Sequence, residues 1–189
     1  ESHNYIDPLI RIAFIHHRFE SIHPFYDGNG RTGRIINLLY LVHAGLLDIP
    51  VLYLSRYLVR HKNEYYRLLQ AVRETGEWQP WVLYMLEAVA ETAQQSITVV
   101  SAIRAAMQDY KHRIRDKFSF YSQDLINHLF CHPYTKIEFV ADALSVSRQT
   151  AAKYLDELVT ENLLHKEKLG KSNYYINIVL YDILSKQAA

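Results

Sequence analysis

Apolar residues at 9, 10, 12, 13 and 15 recur with the spacing of one helix face, so Leu9 to Phe19 is predicted as a helix. Asp7-Pro8 starts it, with an N-cap acceptor followed by proline at the first helical position. Ser21-Ile22-His23-Pro24 ends it, because the residue before proline is pushed out of the helical region. Gly28-Asn29-Gly30 reads as a loop. A second helix is predicted from Arg31 to about Ala44, apolar at 35, 36, 38, 39, 41 and 42 and stopped by Gly45. Apolarity nearly all round predicts that it is buried and central. Ile49-Pro50-Val51 is a turn. Ser55 is placed as the cap of a helix to about Glu74, closed by Thr75-Gly76. Helical periodicity then runs from Trp78 to about Lys117, which predicts two helices or one with a bend.

The texture changes near Phe118. Ser122–Phe130 reads as a short helix broken by His132-Pro133, and Thr135–Leu144 as a second. Ser147 caps a third helix through about Asn162. Leu163–Leu169 and Asn173–Ile178 read as two strands joined by Gly170-Lys171-Ser172. Helix, helix, turn, helix and hairpin is the order of a winged helix-turn-helix. The fold class is therefore mainly α: a helical core over 1–117, then a small α+β winged helix over 118–189.

Composition narrows this picture. A chain of 189 residues that is 49% apolar and 22% charged has the make-up of one globular domain or two small ones, which excludes disorder and collagen-like structure. No apolar run approaches the roughly 18 residues of a membrane span, so no membrane association is expected. Glu1-Ser2-His3-Asn4 has neither the basic flank nor the apolar stretch of a secretory signal. The single cysteine, Cys131, cannot form an internal disulfide, which fits a cytoplasmic location. The net charge is +1, and residues 119–189 hold 7 basic against 8 acidic side chains, so no global field points to nucleic acid.

The chemistry concentrates in His23-Pro24-Phe25-Tyr26-Asp27-Gly28-Asn29-Gly30-Arg31-Thr32-Gly33-Arg34. Two glycines flank an asparagine just before a helix, so backbone N–H groups and the helix dipole can converge on an anion, phosphate being the usual one. Arg31 and Arg34, three apart, share a helix face and reach the same anion. Asp27 supplies one carboxylate beside it, and Mg²⁺ typically takes one or two carboxylates plus phosphate oxygens and water. Histidine as a residue type exchanges its proton near neutral pH, so His23 suits a general base toward a hydroxyl. The sum is a site for phosphate transfer onto an alcohol. Gly28-x-Gly30-x-x-Gly33 matches a dinucleotide fingerprint only in letters, since no hydrophobic strand precedes it. The Walker pattern fails because Arg34 and Ile35 stand where Lys and Ser/Thr belong. His16-His17, adjacent on a helix, are expected not to face the same way, and His128 with His132 around Cys131 have no further ligand near in sequence, so neither pair is expected to hold a metal.

The whole string resembles the Fic family signature H-P-F-x-[D/E]-G-N-G-R-x-x-R, with every fixed position present. Asp7-Pro8-Leu9-Ile10-Arg11, Phe19-Glu20-Ser21-Ile22 and Tyr65-Tyr66-Arg67-Leu68-Leu69 are also similar to that family, and a winged-helix tail occurs in one of its common bacterial architectures. The resemblance implies adenylyl transfer from Mg·ATP to a Ser, Thr or Tyr hydroxyl of a protein, with ATP as substrate and Mg²⁺ as cofactor. His23 would be the catalytic base and Asp27 the metal ligand. Gly28, Asn29, Gly30, Arg31 and Arg34 would hold the phosphates, and Tyr66 would line the adenine pocket. Phe25 is expected to be a core plug that holds the loop. Thr32 and Gly33 fall at variable positions and receive no role. Removal of AMP, or transfer of another phosphate-containing group, is left open.

Members of the family usually carry a β-hairpin flap over the site, and many carry an inhibitory helix with the pattern [S/T]-x-x-x-E-[G/N]. Only 22 residues precede His23 and that pattern occurs nowhere, so the chain is expected to be a fragment of a longer protein. Expected partners are a protein bearing the acceptor hydroxyl, the chain itself as a target, and a second copy in a homodimer. The candidate recognition helix Ser147-Arg148-Gln149-Thr150-Ala151-Ala152-Lys153-Tyr154, with Lys166, Lys168 and Lys171 as a wing, suits either DNA or protein docking. A transcription regulator with a nucleotide-sensing core is the alternative function.

Overall fold

The computed structural model describes residues 6–170 and 172–188. They form two compact units, one up to Ile97 and one from Thr98. In the first, Asp7 caps α1 (Pro8–Ile22) by accepting the Leu9 N–H at 2.8 Å. α2 (Asn29–His43) starts two residues earlier than periodicity suggested, because a helix begins where its backbone bonds begin and not where its apolar face does. The single helix expected from Ser55 is two, α3 (Ser55–Arg60) and α4 (Lys62–Thr75), broken at His61, whose φ and ψ are −107° and 33°. Ser55 makes no capping bond. Trp78–Lys117 is one continuous helix, α5.

The core of this unit gathers Ile12 and Ala13 of α1, Leu41 of α2, Leu68, Leu69 and Val72 of α4, and Trp81, Met85 and Ala88 of α5. Gly33 of α2 faces α1: a Cβ there would lie 2.7 Å from Glu20 Oε1 and 3.2 Å from both His16 and Phe19, so any larger residue would force those side chains to shift. Gly33 thus has a packing role that its place in the string did not reveal.

The second unit orders α6 (Gln123–Cys131), β1 (Tyr134–Thr135), α7 (Ile137–Leu144), α8 (Arg148–Thr160), β2 (His165–Leu169), β3 (Ser172–Ile176) and α9 (Ile178–Ala188). β3 is central and antiparallel to both neighbours, with Tyr134 opposite Ile176 and His165 opposite the same residue on the other side. Ser147 caps α8 as expected, and Ser122, read as the first residue of its helix, is instead the cap of α6. β1 and α9 were not expected. Thr135 pairs with the central strand instead of opening α7. The strand expected through Ile178 stops at Ile176, where the buried Asn177 accepts the Leu180 N–H at 3.1 Å and so starts α9. Tyr110 of α5 anchors the core of this unit through a 2.6 Å bond to the Leu163 carbonyl, and burial pushes its hydroxyl up to about 12. No helix among the described residues is long and apolar enough to cross a membrane.

Candidate active site

The motif folds as a turn between α1 and α2. His23 leaves α1 in the left-handed region, φ 50° and ψ 55°, with its N–H returning to the Phe19 carbonyl at 3.0 Å. Gly28 precedes α2 at φ 85°, a conformation glycine adopts at no steric cost. Asn29, the first residue of α2, is buried and clamps the turn: its Oδ1 accepts the Phe25 N–H at 2.9 Å and its Nδ2 donates to the Phe25 carbonyl at 2.6 Å. With its side chain committed, Asn29 has its backbone N–H left to offer a ligand. The first intrahelical bond is from Thr32 N–H to the Gly28 carbonyl, so the N–H groups of Asn29, Gly30 and Arg31 precede the ladder and carry the positive end of the helix dipole. Phe25 is half exposed, with its ring 6.2 Å from that of Phe19. It is not the plug that was expected; two short bonds to a buried amide hold the turn more tightly than an aromatic edge would.

Arg31 is paired with Asp27 at 3.2 Å, both side chains being largely exposed at 73% and 85%. Asp27 also accepts the Gly28 N–H at 2.7 Å. Such an exposed i,i+4 pair is worth about 0.3–0.5 kcal/mol, so an incoming phosphate can take Arg31 and free the Asp27 carboxylate at little cost. Among the described residues no three acidic or metal-ligating side chains gather into a cage. One exposed carboxylate beside an anion site nevertheless fits Mg²⁺ held jointly with phosphate oxygens and water. Arg31 and Arg34 both line a groove of about 450 Å³ walled by Ile35, Leu38, Leu52, Tyr53 and Val59, an apolar slot opening directly from the two guanidinium groups.

Beneath the motif lies a buried polar layer that periodicity did not disclose. His16 and His17, adjacent on α1, both face inward. His16 Nε2 is 2.9 Å from the Tyr65 hydroxyl and its Nδ1 is 2.9 Å from Asn37 Nδ2, while His17 Nε2 is 3.3 Å from the Leu69 carbonyl. Trp81 packs against both rings. Glu20 is buried too, its Oε1 without a hydrogen-bond partner; burial raises its pKa, opposed by the nearby positive groups His23, Arg34 and Arg73. The cue available in sequence was a run of polar residues, His16, His17 and Glu20, on the one helix that leads into the motif. Of the doublet, Tyr65 belongs to this layer, whereas Tyr66 is 56% exposed with its ring 5.1 Å from that of Tyr65.

Burial lowers the His16 pKa to about 4, so the folded state holds the ring neutral while an unfolded chain protonates it near 6.5. Between those values the unfolded state binds more protons, and stability falls as pH falls. One such group contributes a slope of about 1.4 kcal/mol per pH unit, or roughly 3 kcal/mol across the window. The raised pKa of Glu20 acts the other way near the acid end, since protonation relieves its burial. Denaturant titrations from pH 7 to 4 should show this loss, flattened in His16→Gln; a wild-type curve that is flat across the window would contradict it.

In the second unit the cations assigned to recognition are already engaged. Arg148 lies 3.7 Å from Glu138, Lys153 3.8 Å from Glu157, and Lys166 2.8 Å from Asp156. Lys168 is exposed on β2, and Lys171 lies outside the described residues. His128 Nε2 is 2.7 Å from Thr135 Oγ1, which ties α6 to β1.

Comparison with known proteins divides along the same lines. The Fic/DOC family profile matches residues 1–41, which contain the whole motif, and the profile "Protein adenylyltransferase SoFic-like, C-terminal domain" matches residues 106–180. Protein adenylyltransferase fic-1 of Caenorhabditis elegans is 35% identical over 92 residues, 49% of this chain and 17% of that protein. Protein adenylyltransferase Fic of Aedes aegypti is 33% identical over 85 residues, 45% and 16% of the two chains. The counterpart from Drosophila grimshawi is 30% identical over 92 residues, 49% and 18%. The chain thus spans about a sixth of the length of the curated relatives it matches. An intact motif thus lies inside the Fic/DOC match, and a region similar to the SoFic-like C-terminal domain follows it.

Proposed function

We propose that this chain forms the motif-bearing part and the C-terminal domain of a protein adenylyltransferase, which moves AMP from ATP to a hydroxyl of a protein. The observation that carries the reading is the junction of α1 and α2: an exposed His23 at one side of a clamped turn, and a helix N-terminus flanked by two arginines at the other. The N–H groups of Asn29 and Gly30, with Gly28 giving them room, hold the phosphates. Arg31 and Arg34 neutralise their charge. His23 takes the proton as the acceptor oxygen bonds to the α-phosphorus and the bond to the leaving pyrophosphate breaks. Positioning and charge neutralisation supply most of the rate in such in-line transfers. Asp27 would hold Mg²⁺, which when bound adds further charge neutralisation at the phosphates. Tyr66 is the residue we assign to the adenine. The reading is tested with the full-length protein and ATP labelled at the α- or the γ-phosphate. Label reaching a protein from the α position alone, and only with His23 present, is the expected result. Transfer from the γ position would overturn it.

We assign the C-terminal domain to protein docking rather than to DNA. Glu138, Asp156 and Glu157 stand among its exposed cations, so the surface offers phosphates little net field. Any DNA association should therefore be weak, with affinity falling by less than about two powers of the salt concentration. A site-specific complex with a steep salt dependence would restore the regulator reading.

A further inference from the structure

The end of α1 adopts a conformation that something must hold. His23 is a non-glycine residue in the left-handed region, which costs on the order of 1–3 kcal/mol and persists only where the surroundings enforce it. The residue is exposed, so packing of its own ring does not enforce it. Its N–H bond to the Phe19 carbonyl closes the helix on one side only. The last turn of α1 contains no basic residue, although the negative end of a helix dipole favours one. The cation comes instead from α4. Arg73 donates from Nη2 to the Glu20 carbonyl at 3.1 Å and from Nε to Ser21 Oγ at 3.3 Å, three and two residues before His23. Ser21 Oγ in turn lies 3.4 Å from His17 Nδ1. α4 is itself seated on α1 through Tyr65 and the Leu69 carbonyl, so its grip on this last turn has a fixed base.

We propose that Arg73 is a positioning residue of the transfer reaction: its guanidinium fixes the last turn of α1 and so the left-handed exit that presents His23 beside the N-terminus of α2. Two acceptors from consecutive residues suit a planar fork with two donors, and an ammonium group cannot meet both with the same geometry. Arg73 touches no reacting atom. Only the kinetic arm of the test rests on the adenylyl transfer proposed above.

In the full-length protein, Arg73→Ala should lower kcat by roughly 10–100-fold, the order expected when a base is displaced by about an ångström. KM and Kd for ATP should hold, because the N-terminus of α2 is untouched. Arg73→Lys should recover part of the rate, and added guanidinium ion should recover part of it in Arg73→Ala. A wild-type kcat in Arg73→Ala overturns the proposal. So does a fall in kcat that comes with equal loss of ATP binding and of melting temperature, without guanidinium rescue. Should Arg73→Ala not fold, Arg73→Gln keeps the stem and replaces it with the same expectations. A second readout is independent of turnover: the His23 Cα and Cβ chemical shifts should leave their left-handed values in the variant, and unchanged shifts overturn the proposal. A wild-type protein that transfers no AMP would count against the proposed function, while these shifts would still decide the role of Arg73.

Discussion

His23→Ala should abolish detectable AMP transfer while leaving ATP affinity near that of the wild type. A positioned general base contributes typically 10²–10⁴-fold to rate, and the side chain is exposed at a helix end, where its removal leaves no cavity. Nothing in the geometry ties its ring to the donors of α2 that would hold the phosphates. The expected signature is therefore a loss of kcat at constant Kd, which single-turnover labelling and calorimetry separate. Removing the ring takes from Glu20 one of several neighbours that offset its burial while Arg34 and Arg73 remain, so thermal stability should change little. Parallel losses of rate, ATP binding and melting temperature would recast His23 as a structural residue of the turn.

Arg34→Ala should act on the other quantity. Its guanidinium lies against Gly30, with Nη1 3.3 Å from where a Cβ would stand, and it lines the same groove as Arg31. A hydrogen bond to a charged group is worth about 1.5–3 kcal/mol, so losing a phosphate contact should raise the Kd for ATP by roughly 10–100-fold. Arg31→Ala should cost less, because that side chain is more exposed and spends part of its charge on Asp27. Binding of ATP against adenosine checks the assignment: the Arg34→Ala defect should vanish for adenosine, which has no phosphate to lose. An unchanged Kd for ATP would remove Arg34 from the phosphate site.

Local chemistry was readable without a structure. Asp7-Pro8 starts α1, Ser147 caps α8, and Gly76 closes α4 in the left-handed conformation, because each of these acts through backbone bonds within four residues. The motif's local shape was readable for the same reason: a short turn and a helix start, with two arginines three apart, are written in their own spacing. What escaped depended on partners far along the chain. Thr135 is a strand because Tyr175 lies opposite it, and Asn177 starts a helix only once its amide has met the Leu129 carbonyl. Ser55 has the residue type of a cap but makes no capping bond, and the chain bends at His61 instead.

The composition and order of residues therefore determined the helical core, the turn proposed to bind phosphate, the candidate base and the general plan of the C-terminal domain. Tertiary structure alone decided what surrounds them. It placed Asn29 as the clamp of the turn, in place of Phe25. It buried His16, His17 and Glu20, set Gly33 against the side chains of Glu20, His16 and Phe19, and brought Arg73 across 52 residues to Ser21. Periodicity reports which side of a helix is apolar, and it treats a buried histidine or glutamate as a surface residue. The partner that makes such burial affordable is chosen only when distant helices pack.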